Sequence, residues 1–144
     1  MIAIGSDHGG YELKNHIIKH LEERGIEVKD YGCFSEASVD YPDVAKVVCD
    51  GVINGEAERG ILVCGTGIGI SIAANKVKGI RAALCSDVYS AKMCRQHNNA
   101  NILCLGGRVT GRELAFMIVD TYIDESFEGG RHQNRVDKIH ALED

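Results

Sequence analysis

The amino-acid sequence predicts a doubly wound α/β fold, in which helices cover both faces of a five-stranded parallel sheet. Five short apolar runs recur along the chain, segments with apolar residues at helical spacing separate them, and short loops containing Gly or Asp join the two. Strands that alternate with helices in this way are typical of parallel βαβ units. The 144 residues include one proline and no low-complexity stretch, so we expect a single domain spanning 1–144.

The predicted strands are apolar runs of strand length bounded by polar residues or glycine. In chain order they are Ile2–Gly5, Glu27–Tyr31, Ile61–Cys64, Ile80–Cys85 and Asn101–Leu105. Helices are predicted between them, because apolar residues there recur at helical spacing and share one face. These faces are formed by Leu13, Ile17, Ile18 and Leu21 before Gly25; by Val44, Val47, Val48 and Val52 after Pro42; and by Leu114, Met117, Ile118 and Tyr122. A further helix is expected from Ile70 to Val77, and another near Asp87.

The last segment, 131–144, carries Val136, Ile139 and Leu142 on one side and follows Gly129 and Gly130. We expect a C-terminal helix that leaves the body of the domain and packs on a partner subunit.

Composition excludes several classes of function. A net charge of −5 gives no reason to expect a nucleic-acid partner. The longest apolar runs are strand-sized, so we expect no transmembrane helix and no membrane partner, and the first residues read as a strand rather than a signal peptide. None of the six cysteines has C-x-x-C spacing, which argues against a zinc site or a redox pair. A reduced, cytoplasmic protein without a bound metal is the expectation.

The segment 59–71 is the most informative part of the chain. A buried strand ends at Cys64, and Gly65, Gly67 and Gly69 follow before a helical pattern begins. Alternate glycines let the backbone turn tightly and expose its N–H groups to a ligand, and the start of a helix favours an anion. A thiol beside such an anion-binding loop is suited to proton or acyl chemistry.

Other polar groups also follow predicted strand ends, where ligands bind in parallel sheets. They are Ser6–Gly10, Cys64–Gly67, Ser86–Asp87 and Gly106–Arg108. The irregular stretch Gly32–Tyr41 is expected to be a loop beside this crevice. His97 and Asn98 precede the fifth strand at the end of a helix, so their place at the crevice stays open.

Each candidate residue has a structural alternative. Cys64 is either a core thiol, as Cys85 is expected to be, or a base activated by the adjacent amides. Thr66 is either a turn residue or a proton shuttle. Asp7 is either a helix cap or, with His8, a contact to substrate.

The basic side chains are equally ambiguous. His97 is either a helix-end residue or a catalytic group. Arg131 and Arg135 project from one helix face, which suits a phosphate clamp or a solvated surface, and Arg108 shares this ambiguity. The glycines also allow a dinucleotide site, with Asp87 as the acid that binds ribose, although the cysteine is foreign to that motif and there is no second domain.

The complete set of motifs resembles ribose-5-phosphate isomerase type B, a family that includes allose- and galactose-6-phosphate isomerases. The matching segments are Gly5–Gly10, Asp40–Pro42, Cys64–Gly69, Ala73–Lys76, Ile80–Ala82, Arg95–Asn98, Gly106–Arg108 and Arg131–Arg135. They occur in the family's order and approximate spacing across the whole chain.

The resemblance implies a role for each candidate. Cys64 would move a proton between C1 and C2, Thr66 would assist hydroxyl transfer, and His97 would open the sugar ring. Enediolate oxygens would be held by backbone amides of Gly65, Gly67, Ile68 and Gly69. The remaining substrate and phosphate contacts would come from Asp7, His8, Asn98, Arg108, Arg131 and Arg135. Some members carry a glutamate where this chain has Ile70, so the resemblance places it with the cysteine-dependent members.

The implied activity is interconversion of ribose 5-phosphate and ribulose 5-phosphate through an enediolate, in the pentose phosphate pathway. The resemblance also implies a Rossmann-like sheet, no cofactor or metal, and a homodimer, or dimer of dimers, with active sites at the subunit interface. The sequence leaves open a hexose 6-phosphate as substrate. A nucleotide-binding module and a non-catalytic interaction protein are the alternatives from other classes.

Overall fold

A computed structural model describes residues 1–143 and contains the predicted five-stranded sheet. The strands are β1 (Ile2–Ser6), β2 (Val28–Asp30), β3 (Arg59–Cys64), β4 (Ala82–Leu84) and β5 (Ile102–Gly106). They lie in the order β2-β1-β3-β5-β4, and each pair of neighbours is parallel. The predicted doubly wound parallel sheet is therefore confirmed.

The boundaries of the strands differ from the predicted ones, and pairing between strands accounts for the differences. β3 begins at Arg59 rather than Ile61, because Arg59 pairs with Ile2 of β1. The edge strands β2 and β4 are shorter than predicted, since each has a neighbour on one side only.

Six α-helices complete the described fold. They are α1 (Tyr11–Glu23), α2 (Tyr41–Ile53), α3 (Ile68–Ala74), α4 (Val88–Gln96), α5 (Arg112–Asp124) and α6 (Arg131–His140). Apolar side chains of α1, α4 and α5 pack into one core, and those of α2 and α3 pack into a second, on the other face of the sheet. No helix in the described part of the chain combines the length and apolar character needed to cross a membrane.

Two helix predictions need correction. The helix α3 starts at Ile68, directly after Gly67 in a left-handed conformation, and ends at Ala74 rather than reaching Val77. It ends there because the side chain of Asn75 pairs with the backbone of Ala82 in β4. The predicted apolar faces are also narrower than expected, since Val47, Leu114 and Met117 are exposed.

The C-terminal helix α6 lies partly against its own domain. Val136 and His132 are buried, whereas Ile139 and Leu142, predicted to lie on the same side as Val136, are exposed. His140 contacts Arg81, with 2.8 Å between Nε2 and the guanidinium nitrogen. One face of this helix therefore stays in contact with its own domain, and its packing on a partner subunit stays a prediction.

Candidate active site

Three loops meet at the carboxyl edge of the sheet, and glycines bring them together. A Cβ on Gly10 would stand 2.4 Å from Val63 O, one on Gly106 would stand 2.6 Å from Thr66 O, and one on Gly107 would stand 2.8 Å from Gly9 O. Side chains at these positions would force the loops after β1, β3 and β5 apart.

Cys64 ends β3, and its sulfur faces the glycine loop. The backbone N–H of Gly67 donates to Sγ at 3.1 Å, and the side chain is buried. Gly67 itself has a left-handed φ of +80°, which directs the chain from this loop into the helix α3. A thiolate formed at Cys64 would receive this hydrogen bond.

Three of the other buried thiols have raised pKa values. Burial raises the pKa of Cys49 to about 12 and that of Cys104 well above its ordinary value. A hydrogen bond with Cys94, together with burial, raises the pKa of Cys85. These three thiols stay protonated near neutral pH.

The loop after Cys64 exposes its polar groups. Thr66 is exposed, and its Oγ1 accepts a hydrogen bond from Ile68 N at 3.1 Å. Gly65 and Gly69 are half-buried, while Ile68 is exposed at the start of α3. Ile70 is fully buried, so this position belongs to the core.

Asp7 and His8 follow β1 into the same region. Asp7 Oδ1 accepts hydrogen bonds from Gly9 N and Gly10 N, so the predicted helix-capping interpretation holds for the short 3₁₀ turn before α1. The half-buried His8 accepts a hydrogen bond at Nδ1 from Val39 N, 3.3 Å away. The loop predicted over Gly32–Tyr41 therefore lies beside the site, although it ends at Asp40 because Tyr41 begins α2.

Arg108 extends from the loop after β5 over the glycine loop. Its backbone N–H donates to Gly65 O at 2.9 Å, and a Cβ on Gly65 would stand 3.2 Å from its guanidinium. A neighbouring cavity of about 590 Å³ is lined by His8, Gly107 and Arg108 among others. The carboxyl-edge half of the site, defined by Asp7, His8, Cys64–Gly69 and Arg108, thus places one guanidinium group beside the glycine loop that follows the Cys64 thiol.

The remaining predicted site residues lie at the opposite edge of the sheet. His97 and Asn98 follow α4, which returns from the end of β4 to the start of β5. Cys64 pairs with Gly106 at the far end of β5, and the strand from Ile102 to Gly106 spans roughly 13 Å. Within one chain, the amino-edge half of the site (His97, Asn98, Arg131 and Arg135) therefore does not meet Cys64.

His97 has two neighbours to which the sequence analysis gave no role at this site. Its ring stacks on that of His132, with centroids 4.2 Å apart, and its Nε2 is 3.7 Å from Glu128 Oε1. Burial, and then the nearby His97 and Arg131, lower the pKa of His132. His132 lies inside the Arg131–Arg135 motif, so that motif was the available signal.

The same trio has the residue types of a metal-ligand set. One ligand atom each of His97, Glu128 and His132 lie within 4.8 Å of one another. The two imidazole planes are only 13° apart, so their in-plane lone pairs lie in separate planes and do not converge on one ion. The arrangement suits ring stacking rather than metal binding.

Asp87, the acid of the dinucleotide alternative, has another use. Its Oδ1 accepts from Ser90 N at 2.7 Å and its Oδ2 from Ser90 Oγ at 2.8 Å, which caps α4 and lowers the pKa of the carboxyl. Both oxygens are therefore engaged at the helix terminus, which disfavours a ribose-binding role.

Comparisons with known proteins show which family the chain is similar to. The family model described as Ribose/Galactose Isomerase matches residues 2–139. Ribose-5-phosphate isomerase B of Escherichia coli (strain K12) is 56% identical over 99% of this chain and 95% of its own length. D-erythrulose-4-phosphate isomerase of Pectobacterium atrosepticum is 48% identical over 96% of this chain and 91% of its own. The solved Clostridium thermocellum ribose-5-phosphate isomerase B has a TM-score of 0.98 and 58% identity, covering 99% of this chain and 96% of that one. The chain therefore belongs to the ribose/galactose isomerase family.

Proposed function

We propose that this chain interconverts ribose 5-phosphate and ribulose 5-phosphate, with Cys64 as the base that moves the proton. The observation that carries the proposal is the Cys64 sulfur, 3.1 Å from Gly67 N in a loop of backbone amides. An α-hydroxy carbonyl has an acidic C–H beside a polarised C=O, so a positioned base and oxyanion donors suffice for its isomerisation. The choice of ribose 5-phosphate as the substrate is supported by the relatives that are named ribose-5-phosphate isomerase B.

In the forward direction, the Cys64 thiolate takes the proton from C2 of the open-chain aldose. The electron pair moves to form the C1–C2 double bond of an enediolate, whose negative oxygen receives hydrogen bonds from the amides of Gly65–Gly69. Cys64 then returns the proton to C1, while Thr66 carries the hydroxyl proton from O2 to O1. The product is the ketose, and no electrons leave the substrate.

The amino-edge half of the site would supply ring opening and phosphate binding. His97 would exchange protons with the ring oxygen and the anomeric hydroxyl, with Asn98 beside it. Arg131 and Arg135, one helical turn apart on α6, would bind the phosphate, because guanidinium groups form paired hydrogen bonds with its oxygens. From the other half, Arg108 would join them, and Asp7 and His8 would contact the sugar.

A homodimer, or a dimer of dimers, would bring the two halves together. A symmetric pair presents the carboxyl edge of one chain to the amino edge of the other, twice over. Exposed apolar side chains at Ile68, Ile72 and Leu142 support a covered surface of this kind. The six cysteines are all free thiols, which supports a cytoplasmic location.

Substrate length is a separate question within the same chemistry. The relative named D-erythrulose-4-phosphate isomerase shares 48% identity, so closely related chains carry names for sugars of different length. Assays with tetrose, pentose and hexose phosphates decide this, and we expect the largest kcat/KM for ribose 5-phosphate.

The test compares Cys64→Ala with Cys85→Ala, a matched loss of a buried thiol at another strand end. In a coupled assay with a chelator and no added nucleotide, Cys64→Ala should lower kcat by roughly a hundredfold or more, because removal of a general base has such an effect. Cys85→Ala should lose stability rather than turnover. Retention of most turnover by Cys64→Ala would show that the base has been misassigned, and absence of turnover in the unaltered chain would refute the activity.

A further inference from the structure

Lys14 is a charged residue in the core of the protein. It lies on α1 and is fully buried, yet its ammonium group is completely paired. Nζ donates to both carboxylate oxygens of Asp30 at 2.8 Å and to Cys33 O at 2.6 Å. Three hydrogen bonds use all three protons of the ammonium group.

These bonds fix the beginning of the 32–40 segment, the irregular stretch after β2. Asp30 Oδ1 also accepts from Gly32 N at 2.9 Å, and Cys33 N donates to Ser6 O at 2.7 Å. Lys14 therefore joins α1 to a segment that is otherwise held by backbone contacts to β1 and by side-chain hydrogen bonds with Ser6, His8, Tyr11 and Asp30.

The far end of the same segment sets the proton position on His8. The backbone N–H of Val39 donates to His8 Nδ1 at 3.3 Å. Because an amide N–H only donates, Nδ1 must be the unprotonated nitrogen, and the single proton of the neutral ring lies on Nε2. The ring then offers a donor at Nε2 beside the cavity that it lines with Arg108.

We propose that Lys14 is a positioning residue, which anchors the 32–40 segment so that the Val39 amide keeps His8 in the Nε2–H tautomer. The proposal rests on the proposed function in that His8 then donates to a carbonyl, hydroxyl or phosphate oxygen of the substrate. The other tautomer would present a lone pair to the same oxygen, and this hydrogen bond would be lost.

Nitrogen NMR of the ligand-free protein, at about pH 8 where free histidine is neutral, reads the tautomer directly. We expect Nε2–H for His8 and an amide of Val39 protected from hydrogen exchange. The variant Lys14→Met/Asp30→Asn removes both charges without leaving one unpaired. It should show a mixture of tautomers, a less protected Val39 amide, and kcat/KM lower by about fivefold to tenfold, the equivalent of one ordinary hydrogen bond.

Lys19→Met is the matched control, since Lys19 is exposed on the same helix. It should keep the tautomer and the activity. An Nδ1–H ring in the unaltered protein would overturn the proposal, and so would a folded double variant with an unchanged tautomer. If the double variant does not fold, Lys14→Gln/Asp30→Asn, which also removes both charges but keeps side-chain amides that can pair with each other, serves the same comparison. Because the tautomer is read without substrate, failure of this proposal can be distinguished from failure of the proposed activity.

Discussion

Cys64 differs from the other buried thiols in what contacts its sulfur. The Gly67 amide donates to it, whereas Cys49 and Cys104 lie in apolar surroundings that raise the pKa of each thiol. Burial alone does not separate these residues, since all are buried. The residues that follow Cys64 make the difference, and the sequence contains that information because alternate glycines predict exposed amides.

Replacement of Arg135 by alanine tests whether this single side chain contributes to phosphate recognition. It is exposed on α6, so Arg135→Ala should leave thermal stability nearly unchanged. Loss of a charge-assisted hydrogen bond should raise the KM for ribose 5-phosphate roughly tenfold or more. Lys138→Ala, an exposed cation on the same helix, is the control. Equal catalytic efficiency on ribose and ribose 5-phosphate would contradict a phosphate clamp.

The strands and their loops place the carboxyl-edge half of the site. Their order of occurrence was predictable, because apolar runs and helical periodicity are local properties of the sequence. The boundaries of the strands and helices were less predictable. The strand β3 starts at Arg59 because Arg59 pairs with β1, and α3 ends where the side chain of Asn75 binds β4. Such limits depend on contacts between elements distant in sequence.

Close approach of the loops gives a prediction at this scale. Gly10→Ala places a Cβ 2.4 Å from Val63 O, so the loop after β1 must move away from the end of β3. We expect a loss of about 1–3 kcal/mol in the free energy of unfolding, as for other overpacked sites, together with reduced turnover. Gly111→Ala is the control, because no atom lies within 4 Å of its added Cβ. Equal denaturation midpoints for the two variants would argue against tight loop packing.

At the scale of the whole molecule, the proposed site residues are divided between two edges of one sheet. The motifs identified residues of both halves, but the sequence left the place of His97 open, because that depends on the direction in which α4 returns. The stacking of His97 on His132 was likewise not predictable, since it requires the position of α6 against α4. A single chain holds every candidate residue without assembling them.

The shared site is tested most directly by mixing two inactive proteins, Cys64→Ala and His97→Asn, after unfolding and joint reassembly. Each mixed dimer would carry both lesions in one site and leave the other site whole. Equal mixing should therefore restore about a quarter of the unaltered activity, because half of the dimers are mixed and half of their sites are intact. No recovery, with mixed dimers shown by native mass spectrometry, would contradict a site built from two chains.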